Sequence, residues 1–334
     1  MKDYRGYILL AVALAVFPLL VQSHYYLSML VVIGLYTLVT AGLSLLMGYA
    51  GQVSLGHAAF YGLGAYGSAI LTTRFGLNPW AAMAAAAVIT ALVAFVLGVP
   101  TLKLREHYLA LGTLGLGVMV FIFFNETIWL TGGPSGLMET IPYPSIGGLV
   151  INRDREFFYL VWALTLPSLV LARNLIHSRV GRALRAIHGS EVAAESMGID
   201  TARYKVYVFV LSAIYGSIAG SLYAHYLAFV NPSPFSFMAS IQFLVMAVVG
   251  GLTHEWGPLV GVTIIVILGE LLRDWVPLLL PNAGGEYQIV VFGLILILVM
   301  IFMPEGVARE AELLYERLRL SRGKGSHHRL DASL

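Results

Sequence analysis

The chain has 334 residues, of which 58% are apolar and 11% are Asp, Glu, Lys or Arg. Soluble domains carry about 25% charged residues, so this composition excludes a water-soluble enzyme, a disordered segment and a nucleic-acid-binding module. A net charge of +2 gives no reason to expect a polyanionic partner, and the absence of cysteine removes disulfides, thiol nucleophiles and thiolate metal sites.

Crossing about 30 Å of hydrocarbon at about 1.5 Å per residue takes roughly 20 apolar residues. Ten candidate stretches follow in order: 7–23, 26–47, 53–72, 80–100, 108–130, 157–173, 206–229, 239–253, 257–272 and 287–303. Helices are expected throughout, because lipid offers no partner to an exposed backbone amide. The stretches 239–253 and 257–272 are short enough to be broken or partly re-entrant. The expected fold is therefore an all-α polytopic membrane protein with about ten transmembrane helices. With the N-terminus in the cytoplasm, alternation leaves only Arg74, Arg153, Arg155 and Arg273 outside, of twenty basic residues. This sorting follows the positive-inside rule and puts both termini in the cytoplasm. Residues 7–23 are read as a retained helix, although Lys2, Arg5 and the Val21-Gln22-Ser23 sequence also suit a cleaved signal peptide.

Residues 1–307 are thus expected to form one transmembrane domain, with an outer loop at 131–156 and a charged cytoplasmic loop at 174–205. Residues 308–334 form a basic cytoplasmic tail. No phosphate-binding loop, H-E-x-x-H pair or nucleophile elbow occurs. No acid lies near the middle of a span, since Glu126 and Glu270 fall near outer ends, which disfavours proton coupling.

Two glycine-rich segments stand out. Gly48, Gly51, Gly56, Gly62, Gly64 and Gly67 cluster around the third stretch. Glycine inside a helix costs about 1 kcal/mol against alanine, so the density needs a reason. It serves either close approach of helices or a broken helix whose freed backbone lines a pathway. Gln52, Ser54 and His57 add polar groups on adjacent turns, and Thr253 and His254 do so in the turn at 250–258. Gly51, Gln52, Ser54, Gly56, His57, Thr253 and His254 are the candidates for a path or gate. The alternative is that these side chains bond neighbouring helices.

The loop 174–205 reads as helix, glycine, helix. Val180, Leu184 and Ile187 share a helical face, with Arg179, Arg182 and Arg185 opposite. Gly189 is expected as a C′ stop and Ser190 as the next N-cap. In the second helix Ala193, Ala194 and Met197 are expected on one side, Glu191 and Glu195 on the other, with Gly198 ending it. Such a pair of helices either lies on anionic lipid or docks in the groove of a cytoplasmic partner.

The motif Gly181-Arg-Ala-Leu-Arg-Ala-Ile, followed by Glu191-Val-Ala-Ala-Glu and Met197-Gly-Ile, resembles the coupling-helix region of permeases in ATP-binding-cassette importers. The similarity is to branched-chain amino-acid permeases of the M type. Gly48 to Tyr66, Thr131 to Leu137, Gly250 to Pro258 and Pro304-Glu-Gly306 resemble further motifs of that family. The Leu252-Thr253-His254 sequence departs slightly from its usual late turn. The resemblance implies an architecture like that of the vitamin-B12 and ribose importers, in a bacterial or archaeal cytoplasmic membrane. It implies that Gly181, Arg182, Leu184, Ile187, Glu191, Ala193, Ala194, Met197 and Gly198 couple to an ATPase. The implied partners are two ATP-binding-cassette ATPase subunits, a second homologous permease subunit, an extracytoplasmic amino-acid-binding protein and the lipid bilayer. No cofactor is implied. The competing readings are an ion-coupled secondary transporter, an importer of the same family carrying urea or short amides, and a membrane scaffold or sensor without transport.

Overall fold

A computed structural model describes residues 4–21, 23–101, 106–279 and 287–314. Lys103, Arg105 and the tail from 315 onward lie outside the described residues, and so does most of the evidence for the expected basic tail. The helices are α1 (Arg5–Leu20), α2 (His24–Ser44), α3 (His57–Thr73), α4 (Pro79–Thr101), α5 (Glu106–Glu126), α6 (Ile128–Thr131), α7 (Asp154–Ile176), α8 (Arg179–Gly189), α9 (Glu191–Ser196), α10 (Thr201–Leu227), α11 (Phe237–Gly250), α12 (Gly257–Leu279) and α13 (Tyr287–Phe302). A further helix, α14, runs Val307–Leu314. The β-structure among the described residues is a two-residue antiparallel ladder, β1 (Ser145–Ile146) with β2 (Leu149–Val150).

Each of the ten apolar stretches carries a helix. Among the described residues, five helices are long and apolar enough to cross a membrane: His24–Tyr49, Pro79–Val99, Tyr108–Glu126, α7 and α10. A sixth follows if Val290–Phe302 and Val307–Leu314, bent by 43°, count as one span. The helices α1, α3 and α11 have 16, 17 and 14 residues. In α3 the shortfall has a visible cause. The expected span at 53–72 starts only at His57, because a π-helical turn at Leu45–Tyr49 is followed by non-helical backbone through Gly56. Gly51 there has φ +67°, a left-handed conformation that glycine adopts without steric cost.

The chain divides into two compact units, Met1–Leu244 and Val245–Leu334. In the first, α3 is the central element and α10 runs beside it in the same direction. A Cβ on Gly64 would lie 2.1 Å from the Ser217 carbonyl oxygen, and one on Gly220 would lie 1.8 Å from that of Tyr61. On another side of α3, a Cβ on Gly56 would meet the Thr113 carbonyl at 1.9 Å. These helices touch backbone to backbone, which is how apolar helices gain packing energy in lipid. The glycine density of the third stretch is thus a seam, as the first of the two readings held, and the helix break of the second reading lies at its N-terminal end.

Several polar groups buried along the seam find partners. Ser221 Oγ donates to the Gly64 carbonyl at 3.0 Å, and Thr90 Oγ1 donates to Ser217 Oγ at 3.1 Å. His225, fully buried, donates from Nδ1 to the Pro142 carbonyl at 2.8 Å, which leaves Nε2 to accept from Ser68 at 2.7 Å. That bond ties the loop 131–156 onto the bundle. Leu137 N–H donates to the Val230 carbonyl, Trp80 Nε1–H to that of Ser145, and the Tyr226 hydroxyl to Asp154. The loop is therefore an ordered cover.

In the second unit, the turn after α11 meets the turn after α13. A Cβ on Gly306 would lie 2.3 Å from Gly251 Cα, so the Gly250–Pro258 and Pro304–Gly306 motifs touch through bare backbone.

The seam predicts a sharp contrast between glycines. Gly56→Ala puts a methyl into a carbonyl that cannot move independently, at a cost of about 1–3 kcal/mol or more. Gly115 has nothing within 4 Å of an added Cβ, so Gly115→Ala is neutral or gains up to about 1 kcal/mol of helix propensity. Thermal unfolding of the purified variants in detergent reads both; equal midpoints would contradict the seam.

Candidate functional site

The loop 174–205 folds as two helices joined at one residue. Ser178 caps α8, its Oγ accepting from Val180 N at 3.1 Å and Gly181 N at 3.4 Å. Gly181 sits so close to the end of α7 that a Cβ would lie 2.1 Å from the Ile176 carbonyl. Gly189 is the last residue of α8 and has no left-handed φ, so it is not the expected C′ stop. Ser190 ends α8 with extended backbone and caps α9, its Oγ accepting from Ala193 N at 3.3 Å. The left-handed termination comes after α9, at Gly198 with φ +80°.

The faces of this hairpin sort the coupling candidates into two groups. Gly181, Leu184, Ile187 and Ala194 are buried against the chain's own bundle. Arg182, Glu191, Ala193, Met197 and Gly198 are exposed. Ala193 and Ala194 therefore do not share a face, as consecutive residues about 100° apart on a helix need not. A residue missed from sequence, Val192, is 75% exposed, beside Met197 at 83%. In a helix of only six residues the apolar pattern leaves the buried side ambiguous, so no sequence signal selected Val192.

The end of α8 touches the break between α2 and α3 through His188, an exposed residue. His188 Nδ1–H donates to the Gly48 carbonyl at 2.9 Å. A Cβ on Gly51 would lie 3.1 Å from the same imidazole, so ring and backbone are in contact. His188 was also missed, since a histidine in the last turn of a basic helix looks like an ordinary favourable dipole partner. Between the hairpin, residues 50–53 and residues 109–111 lies an open cleft of about 850 Å³, with Glu191 and Lys205 paired at its edge.

The break gathers Gln52, Ser54 and His57, exposed by only 3%, 1% and 0%. Leu55 N–H donates to Thr113 Oγ1 and Ala58 N–H to Ser240 Oγ, both at 3.0 Å. These bonds satisfy the backbone where the helix is lost. The side chains fare differently. Both amide atoms of Gln52, Ser54 Oγ and His57 Nδ1 have no hydrogen-bond partner among the described residues. His57 Nε2 lies 3.4 Å from Ser212 Oγ, a long contact.

Thr253 and His254 belong to the second unit. Trp256 N–H donates to His254 Nδ1 at 3.2 Å, which leaves Nε2–H to face Glu312 at 3.3 Å. Arg309 donates to the same carboxylate at 2.6 Å. The Arg309 guanidinium, with His254 adding, holds the Glu312 carboxyl below the usual range. His254 is thus a clamp between the turn and α14.

Residues 25–300 match the family model of the branched-chain amino acid transport system permease component. The chain belongs to that family. It is 32% identical over 296 residues to the high-affinity branched-chain amino acid transport system permease protein LivM of Salmonella typhimurium, covering 82% of this chain and 67% of that protein. LivM of Escherichia coli gives the same identity and coverage. LivH of Escherichia coli is 26% identical over 300 residues, 83% of this chain and 92% of that one. Among solved structures, a chain of PsaBC from Streptococcus pneumoniae in complex with Fab gives a TM-score of 0.43 at 11% identity, over 88% of this chain and 96% of that chain. This permease is a multi-pass transport subunit of an ATP-binding-cassette importer, not an enzyme.

The contact of His188 with the break has a measurable consequence. In the permease variant His188→Ala, amides of residues 48–56 should exchange hydrogen faster than in the parent, and by more than the amides of α10. Unchanged exchange at 48–56 would show that the imidazole does not hold the break.

Proposed function

We propose that this permease conducts leucine, isoleucine, valine or a related apolar amino acid into the cell, driven by ATPases that grip its α8–α9 hairpin. The observation that carries this reading is the two-sidedness of the hairpin. Its exposed side presents Val192 and Met197 as an apolar knob, with Arg182 also exposed. Through His188, exposed at the end of α8, it is also hydrogen-bonded to the break between α2 and α3. A partner that moves the knob moves the break.

In this reading the ten helical stretches form ten spans with both termini in the cytoplasm, arranged as in the vitamin-B12 and ribose importers. Two ATP-binding-cassette subunits lie below, a second homologous permease lies alongside, and an extracytoplasmic binding protein delivers the solute at the loop 131–156. The membrane is a bacterial or archaeal cytoplasmic membrane. ATP binding closes the ATPase pair and displaces α8 and α9. The non-helical break at 51–56 then acts as the compliant element, and its rearrangement switches access from one side to the other. Gly51 and Gly56 let the backbone turn there. Thr253 and His254 serve a matching turn in the second unit. Glu191, Ala193, Met197 and Gly198 meet the ATPase directly. Gly181, Leu184, Ile187 and Ala194 hold the hairpin to the bundle so that it moves as a lever. A central fixed charge is not needed for an apolar solute.

The variant Val192→Asp/Met197→Asp tests the docking. Uptake of labelled leucine by proteoliposomes containing the full complex should fall at least about tenfold, while the chain remains in the membrane and the ATPases keep their basal turnover. Uptake by this permease without any ATPase, or normal uptake by the double variant, would instead support an ion-coupled transporter.

A further inference from the structure

We infer that the turn between α10 and α11, residues 228–236, is the gate that closes the path on the side of the loop 131–156. Phe235 is its plug, and residues 137–141 of the loop are its handle. The inference rests on the importer reading above and adds to it the element that the extracytoplasmic binding protein moves.

Phe235 belongs to a short turn between two helices, yet it is only 1% exposed. Its ring is met by those of Tyr61, Tyr66, Phe124 and Tyr223, at 5.3, 5.8, 6.1 and 6.2 Å between ring centres. These rings come from α3, α5 and α10, so one side chain from a turn fills the space between three helices. Gly62 makes the room. A Cβ there would lie 2.9 Å from Phe235 Cγ and 2.6 Å from the Phe124 ring. Aromatic contacts of this kind hold by apolar burial and ring quadrupoles. The ring therefore leaves its seat without orphaning a hydrogen-bonding group of its own, as a reversible plug has to.

The backbone of the turn is held by the loop. Leu137 N–H donates to the Val230 carbonyl at 2.9 Å, and Ile141 N–H to the Ala228 carbonyl at 3.4 Å. Gly136, with φ +77°, comes so near that a Cβ would lie 2.3 Å from the Val230 carbonyl oxygen. Leu137 and Ile141 are buried, whereas Met138, Glu139 and Thr140 between them are exposed, Met138 by 88%. Glu139 makes a long ion pair with Arg74, at 3.9 Å. Five consecutive residues thus bond the turn at both ends and offer their middle to a partner. Ala228 supplies a hinge. Among the described residues it is the non-glycine residue with a left-handed φ, +53°, a conformation that a Cβ disfavours. Swinging the turn lets Ala228 return to an ordinary φ.

The helix α3 joins this gate to the break. Tyr61 and Tyr66 touch Phe235, and His57, one turn before Tyr61, is the first residue of α3 after the break. A helix of 17 residues is about 25 Å long and moves as a rod. A rearrangement of the break that shifts α3 loosens the seat of Phe235 from one side. A binding protein that lifts residues 138–140 loosens it from the other. Each motion favours the other, because both act on one seat.

The experiment uses the full complex in proteoliposomes and in nanodiscs. Phe235→Ala should raise the passive leak of labelled leucine and labelled glutamine, without ATP or binding protein, at least about tenfold over the parent. Phe209→Ala, which removes another buried aromatic side chain, should not. A lowered thermal midpoint without a leak in Phe235→Ala, or an equal leak in both variants, makes Phe235 ordinary core and overturns the gate. The unmodified complex gives a reading that needs no variant. On addition of leucine-loaded binding protein and a non-hydrolysable ATP analogue, amides of residues 229–235 should exchange hydrogen faster, and those of α4 should not. Unchanged exchange at 229–235, in a complex that takes up leucine with ATP, overturns the gate. Failure of that uptake in the parent complex overturns the importer reading instead, and the leak, which needs no ATP, still judges the gate.

Discussion

Hydrocarbon gives an unpaired peptide group no partner, and this one constraint organises the first unit of the permease. The backbone of residues 51–56 leaves the helical ladder at the N-terminal end of α3. It is tolerated because protein covers it and supplies bonds: Thr113 Oγ1 to Leu55, Ser240 Oγ to Ala58, and the Gly48 carbonyl to His188. The seam of glycines is the condition for that cover. Only helices in backbone contact, as α3 is with α5 at Gly56 and with α10 at Gly64, exclude lipid closely enough. The packing of the bundle and the position of this irregular segment are thus linked.

The functional hairpin inherits its placement from this arrangement. Gly181 lets α8 fold back hard against the end of α7, and Leu184 and Ile187 bury the return. His188 then falls opposite the break. Along the seam, Ser221, Thr90 and His225 are all hydrogen-bonded. At the break, Gln52, Ser54 and one nitrogen of His57 are not.

The chain's own chemistry was legible without the fold. Absence of a phosphate loop and the apolar composition already separate conduction from ATP hydrolysis, and the hairpin motif points to an external motor. The position of each helix was also legible, because a run of apolar residues in lipid has little choice but to be helical. The start of α3 was not. Hydropathy treats Val53 and Leu55 as span residues, while the turn is made by Gly51 and by hydrogen bonds from residues more than fifty positions away. The inner and outer sides of α9 were likewise hidden, since six residues hold too little periodicity to fix a face.

By itself the sequence determined a membrane-embedded permease, its helical stretches, its family motifs and the charged hairpin, since each depends on local composition and spacing. The tertiary structure decided which glycines are seam and which are hinge, that Ala194 turns inward while Val192 and Met197 turn outward, and that His188 meets Gly48. Those outcomes depend on which backbone atoms of distant helices come within contact distance. Pairings of that kind are made by packing between segments far apart in the chain, and no window of sequence contains both partners.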